Sequence, residues 1–367
     1  MSPAPLALAI VIPTFNEKGN VAALVARLDA ALAGLVWEAV FVDDDSPDGT
    51  ADVARALART DTRVRVIQRI GRRGLSSACI EGMCATAAPM VAVIDGDLQH
   101  DETILPAMLM ALTDDPSLDL VIGSRFVAGG GTGDWDRDRV AKSALATKLS
   151  RRVLKADLTD PMSGFFMIRT ETLRRLAPDL SAIGFKILLD IMTASAAPLR
   201  FRELPYTFRV RTEGESKLDH VVAIEFLIAL YDRMFGRFVP VRFAMFSAIG
   251  VLGVGLHMAV LALCFVVLGM SYIAGLIVAT LVAMTFNFYL NNALTYRDRR
   301  LTGWRALLDG WVSFCLVCSV GAIANVGIAA FLHGARDGAW ATSALVGVLV
   351  GAVWNYALSS RFTWGRY

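Results

Sequence analysis

Val91-Ala92-Val93-Ile94-Asp95-Gly96-Asp97-Leu98-Gln99 is the stretch on which the fold turns. Its four apolar residues, two of them valine and one isoleucine, read as a short strand buried on both faces. Two carboxylates then follow, one residue apart, where such a strand ends. Oxygen ligands in that spacing can hold Mg²⁺ or Mn²⁺ against a diphosphate, and Gln99 can add a carbonyl oxygen. A D-x-D by itself is a common solvated turn. Its position directly after a buried strand gives it weight.

Working outward, Leu6–Ile12, Glu38–Val42, Val64–Gln68, Met90–Ile94 and Leu118–Ile122 are further strand-like runs. Helical patterns fill the gaps at Val21–Leu32, Ala51–Arg59, Ser76–Ala87 and Ile104–Leu112. The alternation predicts an α/β fold of Rossmann-like type, with a mostly parallel sheet covered by helices on both faces. Ligands in such folds bind beyond the carboxyl ends of the strands. Acidic residues fall there: Glu17, then Asp43 and Asp44, then Asp95 and Asp97. The run Val42-Asp43-Asp44-Asp45-Ser46-Pro47-Asp48-Gly49-Thr50 adds a turn and an N-cap threonine, which together suggest a nucleotide pocket. Clustered acids at that density need partners to offset their repulsion.

Composition divides the 367 residues in two. The chain is 55% hydrophobic, with a mean hydropathy of +0.52. Residues 1–240 carry 28 basic and 31 acidic groups, whereas 241–367 carry 8 and 3. A near-neutral head argues against nucleic acid as a partner. No charge occurs in Phe243–Tyr296, Gly310–Ala335 or Gly338–Ser360. At about 20 residues per span, these stretches predict four membrane helices, with Gly269-Met270-Ser271 as a hairpin. The expected organisation is a cytosolic domain over 1–220, an amphipathic juxtamembrane helix over 221–240 and an all-α four-span domain over 241–367.

Leu6–Ile12 lacks a basic flank and runs into Pro13, so it reads as a strand rather than a signal peptide. The head is therefore expected in the cytosol. Cys315 and Cys318 lie in an apolar helix and read as small packing residues.

The second part repeats itself at an offset of 68. Phe286-Asn287-Phe288-Tyr289-Leu290 matches Trp354-Asn355-Tyr356-Ala357-Leu358, and Thr295-Tyr296 matches Thr363-Trp364. Phe246 and Gly253 likewise match Phe314 and Gly321. Two tandem two-helix repeats in one orientation follow. Arg297, Arg299, Arg300 and Arg305 in the middle loop, with arginines before the first span and after the last, predict a cytosolic loop and C-terminus. Asn287 and Asn355 within apolar helices read equally as packing residues or as part of a lipid path.

Ile12-Pro13-Thr14-Phe15-Asn16-Glu17, Asp43–Thr50, Asp95–Gln99 and Gly123-Ser124-Arg125 resemble the family-2 glycosyltransferases of A-type fold. With Gly129-Gly130-Gly131, Trp135, Arg139, Ser143, Asp160–Phe166 and Arg211–Lys217 added, the set is similar to the dolichol-phosphate mannose synthases over about 6–238. The part beyond resembles small four-helix proteins associated with O-antigen glucosylation. The resemblance implies nucleotide-sugar binding by Pro13, Phe15, Glu17, Val42, Asp44, Asp95, Gly96, Asp97, Arg125, Lys186, Arg211 and Lys217. Phe15 stands where the family often has Tyr, so no hydroxyl is offered there. The resemblance also implies metal ligation by Asp97 and Gln99, with Asp95 as a further candidate. Asp97, Arg211 and Lys217 would be catalytic, and Arg139 and Ser143 would hold the acceptor phosphate.

The implied activity is metal-dependent, inverting transfer of a hexose to a dolichyl or polyprenyl phosphate. The donor motifs lean toward GDP-mannose, with UDP-glucose as the alternative. Expected partners are the nucleotide sugar, the lipid phosphate and the membrane, without nucleic acid, and a homo-oligomer is left as an option. A processive polysaccharide synthase would carry Q-x-x-R-W, but neither Gln68 nor Gln99 begins one. A lipid-sugar flippase or scaffold with an inactive head fits poorly with intact Asp95, Asp97, Gln99, Arg211 and Lys217.

Overall fold

The computed structural model describes residues 5–133, 147, 154, 156–181, 186–209, 231, 238–336 and 340–365, without the side chains of 298 and 322–348. The chain divides into two compact units, Met1–Met234 and Phe235–Tyr367.

The first unit is built on a seven-stranded sheet: β1 (Leu8–Thr14), β2 (Trp37–Asp43), β3 (Val64–Gln68), β4 (Met90–Val93), β5 (Leu120–Ser124), β6 (Phe166–Arg169) and β7 (Phe201–Pro205). The strand order is β3-β2-β1-β4-β6-β5-β7. β1 pairs in parallel with β2 and β4, setting Ile10 opposite both Ala39 and Ala92. β6 alone runs antiparallel, between β4 and β5.

Every residue of β1 is buried. Its even-numbered side chains, Leu8, Ile10 and Ile12, join one core with helices α1 (Val21–Ala31), α2 (Thr50–Ala58) and α4 (Leu105–Asp114). Its odd-numbered Ala9 and Val11 join another with α3 (Leu75–Cys84), α5 (Thr170–Leu176) and α6 (Ile187–Ala194). Opposite pointing of alternate side chains explains why a central strand reads as a continuous apolar run. Each isoleucine or valine so buried contributes about 1.5–3 kcal/mol. Gly82 lets α3 lie close on the sheet, since a Cβ there would collide with Val11 and Val42.

The doubly covered, mostly parallel sheet agrees with expectation. β6 and β7 are additions that sequence reading passed over. β6 has only four residues, the first of them the end of a motif read for chemistry, and edge strand β7 sets the adjacent charges Arg202 and Glu203 between apolar residues.

The second unit contains α7 (Val241–Ala262), α8 (Tyr272–Leu290), α9 (Trp304–Arg336) and α10 (Trp340–Leu358). Two helical stretches, Val241–Val267 and Tyr272–Thr295, are long and apolar enough among the described residues to cross a membrane. Gly269 turns the chain at φ 64°, and Ser271 caps α8 by accepting from the Ala274 N–H.

The repeat recurs in three dimensions. α8 and α10 each end in a π-helical turn, Asn291–Thr295 and Ser359–Thr363, again 68 residues apart. Phe288 meets Phe314 at 5.9 Å between ring centroids, and Phe246 meets Tyr356 at 5.8 Å. The 68-residue offset exchanges these two contacts, so the repeats are related by an approximate two-fold operation. Within each repeat, a buried carboxamide oxygen faces a glycine of the paired helix: Asn287 against Gly253, and Asn355 against Gly321.

Candidate active site

The site forms at the carboxyl ends of β1, β2 and β4. Pro13 and Val42 are register partners on adjacent strands, followed by Thr14 and Asp43. Asp43 is the last residue of β2 and is fully buried, so the strand reaches one residue beyond expectation. Its oxygens accept from the Thr14 hydroxyl at 3.2 Å and from the Ser46 N–H and hydroxyl at 2.9 and 2.6 Å.

Asp44 accepts from the Gly74 N–H at 2.6 Å and from the Arg69 guanidinium at 2.8 Å. Burial raises its pKa, opposed by that N–H and by Arg69. Asp45 takes the Gln68 amide, and Asp48 takes the N–H and hydroxyl of Thr50 and the Lys18 N–H. The crowded acids thus meet mainly backbone donors and hydroxyls, which offset their mutual repulsion. Among the described residues, Asp44 is the one of these four acids that pairs with a buried cation, Arg69.

Arg69 was not found by sequence reading. Its side chain is 3% exposed, and it also meets the Ser77 hydroxyl at 2.6 Å and Glu81 at 3.4 Å. Its one signal was a charged residue immediately after a strand-like run, Val64–Gln68. Phe15 is partly buried, and Arg73 stacks over its ring at 4.3 Å. The Glu17 N–H donates to Thr50 and its carboxylate accepts from Asn20.

Beyond β4, Asp97 is nearly buried and its carboxylate accepts from the Gln99 N–H at 3.1 Å. Asp95 is more open and stands beside His100, whose Nδ1 accepts from the Asp95 N–H at 3.2 Å. Nε2 of His100 lies 3.7 Å from the Asp95 carboxylate. Burial pushes the His100 pKa down to about 4, so the imidazole is neutral near pH 7. It stacks on Phe165 at 5.3 Å and meets Tyr206 and Phe208 edge-on. The backbone is close-packed here: a Cβ at Gly96 would come within 3.1 Å of Thr14, and one at Gly164 within 3.0 Å of Asp95. The latter contact brings the Asp160–Phe166 motif onto the acidic pair.

Lys186 joins the same turn, donating to the Met162 carbonyl at 3.3 Å. Arg125 faces inward. It forms a bidentate pair with fully buried Asp160, at 2.8 Å from Nε and 2.7 Å from Nη2, and its own N–H adds a third bond. Asp160 is held in turn by Glu203, which accepts from the 159 and 160 amides. Arg139, Ser143, Arg211 and Lys217 lie outside the described residues.

The side-chain oxygens of Asp95, Asp97 and Gln99, close in sequence just beyond β4, would supply an all-oxygen donor set of the kind Mg²⁺ and Mn²⁺ prefer. No cluster of three His, Cys, Asp or Glu side chains suited to a metal occurs among the described residues. Two carboxylates and one amide fit a cation that completes its shell with substrate phosphates.

Residues 9–177 match the family described as glycosyl transferase family 2, and 245–364 match the GtrA/DPMS transmembrane domain. Dolichol-phosphate mannosyltransferase of Pyrococcus furiosus is 34% identical over 364 residues, covering 97% of this chain and 99% of that protein. The dolichol-phosphate mannosyltransferase of Saccharomyces cerevisiae is 35% identical, covering 61% and 85%. An undecaprenyl-phosphate mannosyltransferase of Micrococcus luteus is 35% identical, covering 57% and 86%.

Proposed function

The chain belongs to the dolichol-phosphate mannosyltransferase family, a glycosyl transferase family 2 domain followed by a GtrA/DPMS transmembrane domain, and on that premise we propose that it transfers mannose from GDP-mannose to a polyprenyl phosphate, with inversion. It is a glycosyltransferase and a membrane protein. Its relatives act on lipids named as dolichol and undecaprenyl phosphates, which supports polyprenyl-phosphate mannosyl transfer. The observation that carries the reading is the convergence of Asp44, Asp95, Asp97 and Gln99 at one edge of the sheet, next to the 160–166 turn.

In this reading, Pro13, Phe15, Glu17, Val42 and Asp44 bind the nucleoside, with Arg69 holding the Asp44 carboxylate in place. A divalent cation held by Asp97 and Gln99, beside Asp95, would neutralise charge on the leaving nucleoside diphosphate. Arg211, Lys217 and Lys186 add positive charge to the same phosphates. Arg139 and Ser143 orient the acceptor. An acceptor phosphate oxygen is already anionic at pH 7, so it attacks the anomeric carbon without a dedicated base. The new carbon–oxygen bond forms as the bond to the diphosphate breaks, and GDP leaves. Attack opposite the leaving group converts an α-linked donor into a β-linked product. Positioning and charge stabilisation lower the barrier.

The two repeats form four spans in this proposal, with head, middle loop and C-terminus cytosolic. Purified protein should release GDP and form mannosyl lipid only when polyprenyl phosphate is present. Asp97→Ala should abolish transfer while the protein still folds and inserts. Turnover of UDP-glucose in place of GDP-mannose would overturn the donor assignment. Wild-type transfer by Asp97→Ala would overturn the metal assignment.

A further inference from the structure

Gln99 and Arg209 hold one another by two bonds. The Arg209 N–H donates to the Gln99 carbonyl at 2.8 Å, and the Gln99 side-chain Nε2 donates back to the Arg209 carbonyl at 3.1 Å. Only the NH₂ of a carboxamide can donate to a carbonyl, so this bond decides which way the amide faces. The amide oxygen Oε1 lies on the opposite edge of the group, and it has no hydrogen-bond partner among the described residues.

The Arg209 backbone is itself held in place. Its guanidinium spans Asp101 at 2.6 Å and buried Glu102 at 2.7 Å, and reaches the His100 carbonyl at 3.4 Å. One residue thus ties together positions 99, 100, 101 and 102, the turn that follows the acidic pair. Just before it, the Phe208 N–H donates to the Gly131 carbonyl at 2.9 Å, so the strap is fastened at both ends. Charge-assisted bonds of this kind are about twice as strong as neutral ones. A metal-ligating amide depends on such outer contacts for its orientation.

We propose that Arg209 is a positioning residue for the cation of the donor diphosphate, acting by presenting its carbonyl to Gln99 so that the amide oxygen points to the metal. The inference rests on the reading of Asp97 and Gln99 as metal ligands. Arg209 touches no substrate. It acts through the Gln99 amide, and Asp101 and Glu102 are its anchors.

The test is Mn²⁺ binding to the full chain in detergent with GDP present, followed by electron paramagnetic resonance. Arg209→Ala should raise the Mn²⁺ dissociation constant about tenfold to a hundredfold, the usual cost of losing an outer contact to a metal ligand. Gln99→Ala should raise it similarly, and the double variant should add little to either. Arg209→Lys keeps a cation for Asp101 and Glu102, so it should restore most of the affinity. That variant keeps the test open should Arg209→Ala fold poorly. Transfer should lose kcat with little change in KM for the lipid. Wild-type Mn²⁺ affinity in Arg209→Ala, alongside weakened binding in Gln99→Ala, would overturn the inference and leave the metal site intact. Additive losses in the double variant would also overturn it. Unchanged affinity in both Asp97→Ala and Gln99→Ala would instead remove the metal site and the inference with it.

Discussion

Tyr296 and Trp364, 68 positions apart in the repeat, stack on each other with 4.1 Å between ring centroids and 8° between planes. Their polar ends cross over. The Tyr296 hydroxyl and the Ser360 hydroxyl lie 2.6 Å apart, and the Trp364 Nε1–H donates to Asn292 at 3.1 Å. Asn292 and Ser360 are themselves equivalent under the same offset. Each repeat thus supplies a ring and a polar partner, and each ring bonds the partner of the other repeat. Asn292 also clamps the start of the next segment, since it exchanges two bonds with Leu301.

This contact should carry much of the adhesion between the two repeats. Trp364→Ala should destabilise the second unit by about 3–5 kcal/mol, the range for truncating a buried large aromatic. Tyr296→Ala should cost less in a Trp364→Ala background than in wild type, with a coupling of about 0.5–1.5 kcal/mol. Thermal unfolding of the full chain in detergent measures both values. Strict additivity would mean that the rings act independently.

The twin glycine notches give a symmetric expectation. Gly253→Ala and Gly321→Ala would each drive a methyl into the carboxamide of Asn287 or Asn355. Each should destabilise its helix pair by about 1–3 kcal/mol, the cost of overpacking. Adding Asn287→Ala to Gly253→Ala, or Asn355→Ala to Gly321→Ala, should recover stability. The check is the unfolding midpoint of the four variants. No recovery would mean that the helices meet some other obstacle.

Arg125 should behave as a structural residue before anything else. Arg125→Ala leaves the carboxylate of Asp160 buried without its bidentate partner. Breaking a buried pair from one side costs about 3–5 kcal/mol. Loss of mannosyl transfer in this variant should therefore accompany a lower melting temperature. A protein of wild-type stability that has lost only donor binding would assign the guanidinium to phosphate instead.

Arg139 is read from the chain as an acceptor contact, one turn from Ser143 in a basic amphipathic segment. Arg139→Ala should weaken saturation by polyprenyl phosphate by about tenfold to a hundredfold, the value of a charge-assisted bond of about 1.5–3 kcal/mol. Affinity for GDP should stay near wild type. Comparing acceptor saturation with nucleotide binding checks this, and an equal loss in both would remove Arg139 from the acceptor site.

Much was legible in the chain alone, because it is written in local order. The β-α alternation follows from periods of two and 3.6 that any short window carries, so the covered parallel sheet and the place of Asp44, Asp95 and Asp97 at its edge could be read directly. The 68-residue repeat is likewise a property of order, and it announced paired helices before any packing was known. Which groups partner one another is not local. Nothing near Asp44 names Arg69, because that ion pair exists only once β3 lies beside β2. Arg125 read as a phosphate ligand by its place in a motif, yet Asp160, 35 residues on, takes its guanidinium. His100 gained its aromatic cage from Phe165, Tyr206 and Phe208, residues gathered by strand order rather than by spacing. Tyr296 and Trp364 could be matched as equivalents from sequence, but that equivalents touch required a two-fold arrangement. Sequence periodicity reports which face of an element is apolar. Only the tertiary structure decides what that face, and each buried charge upon it, meets.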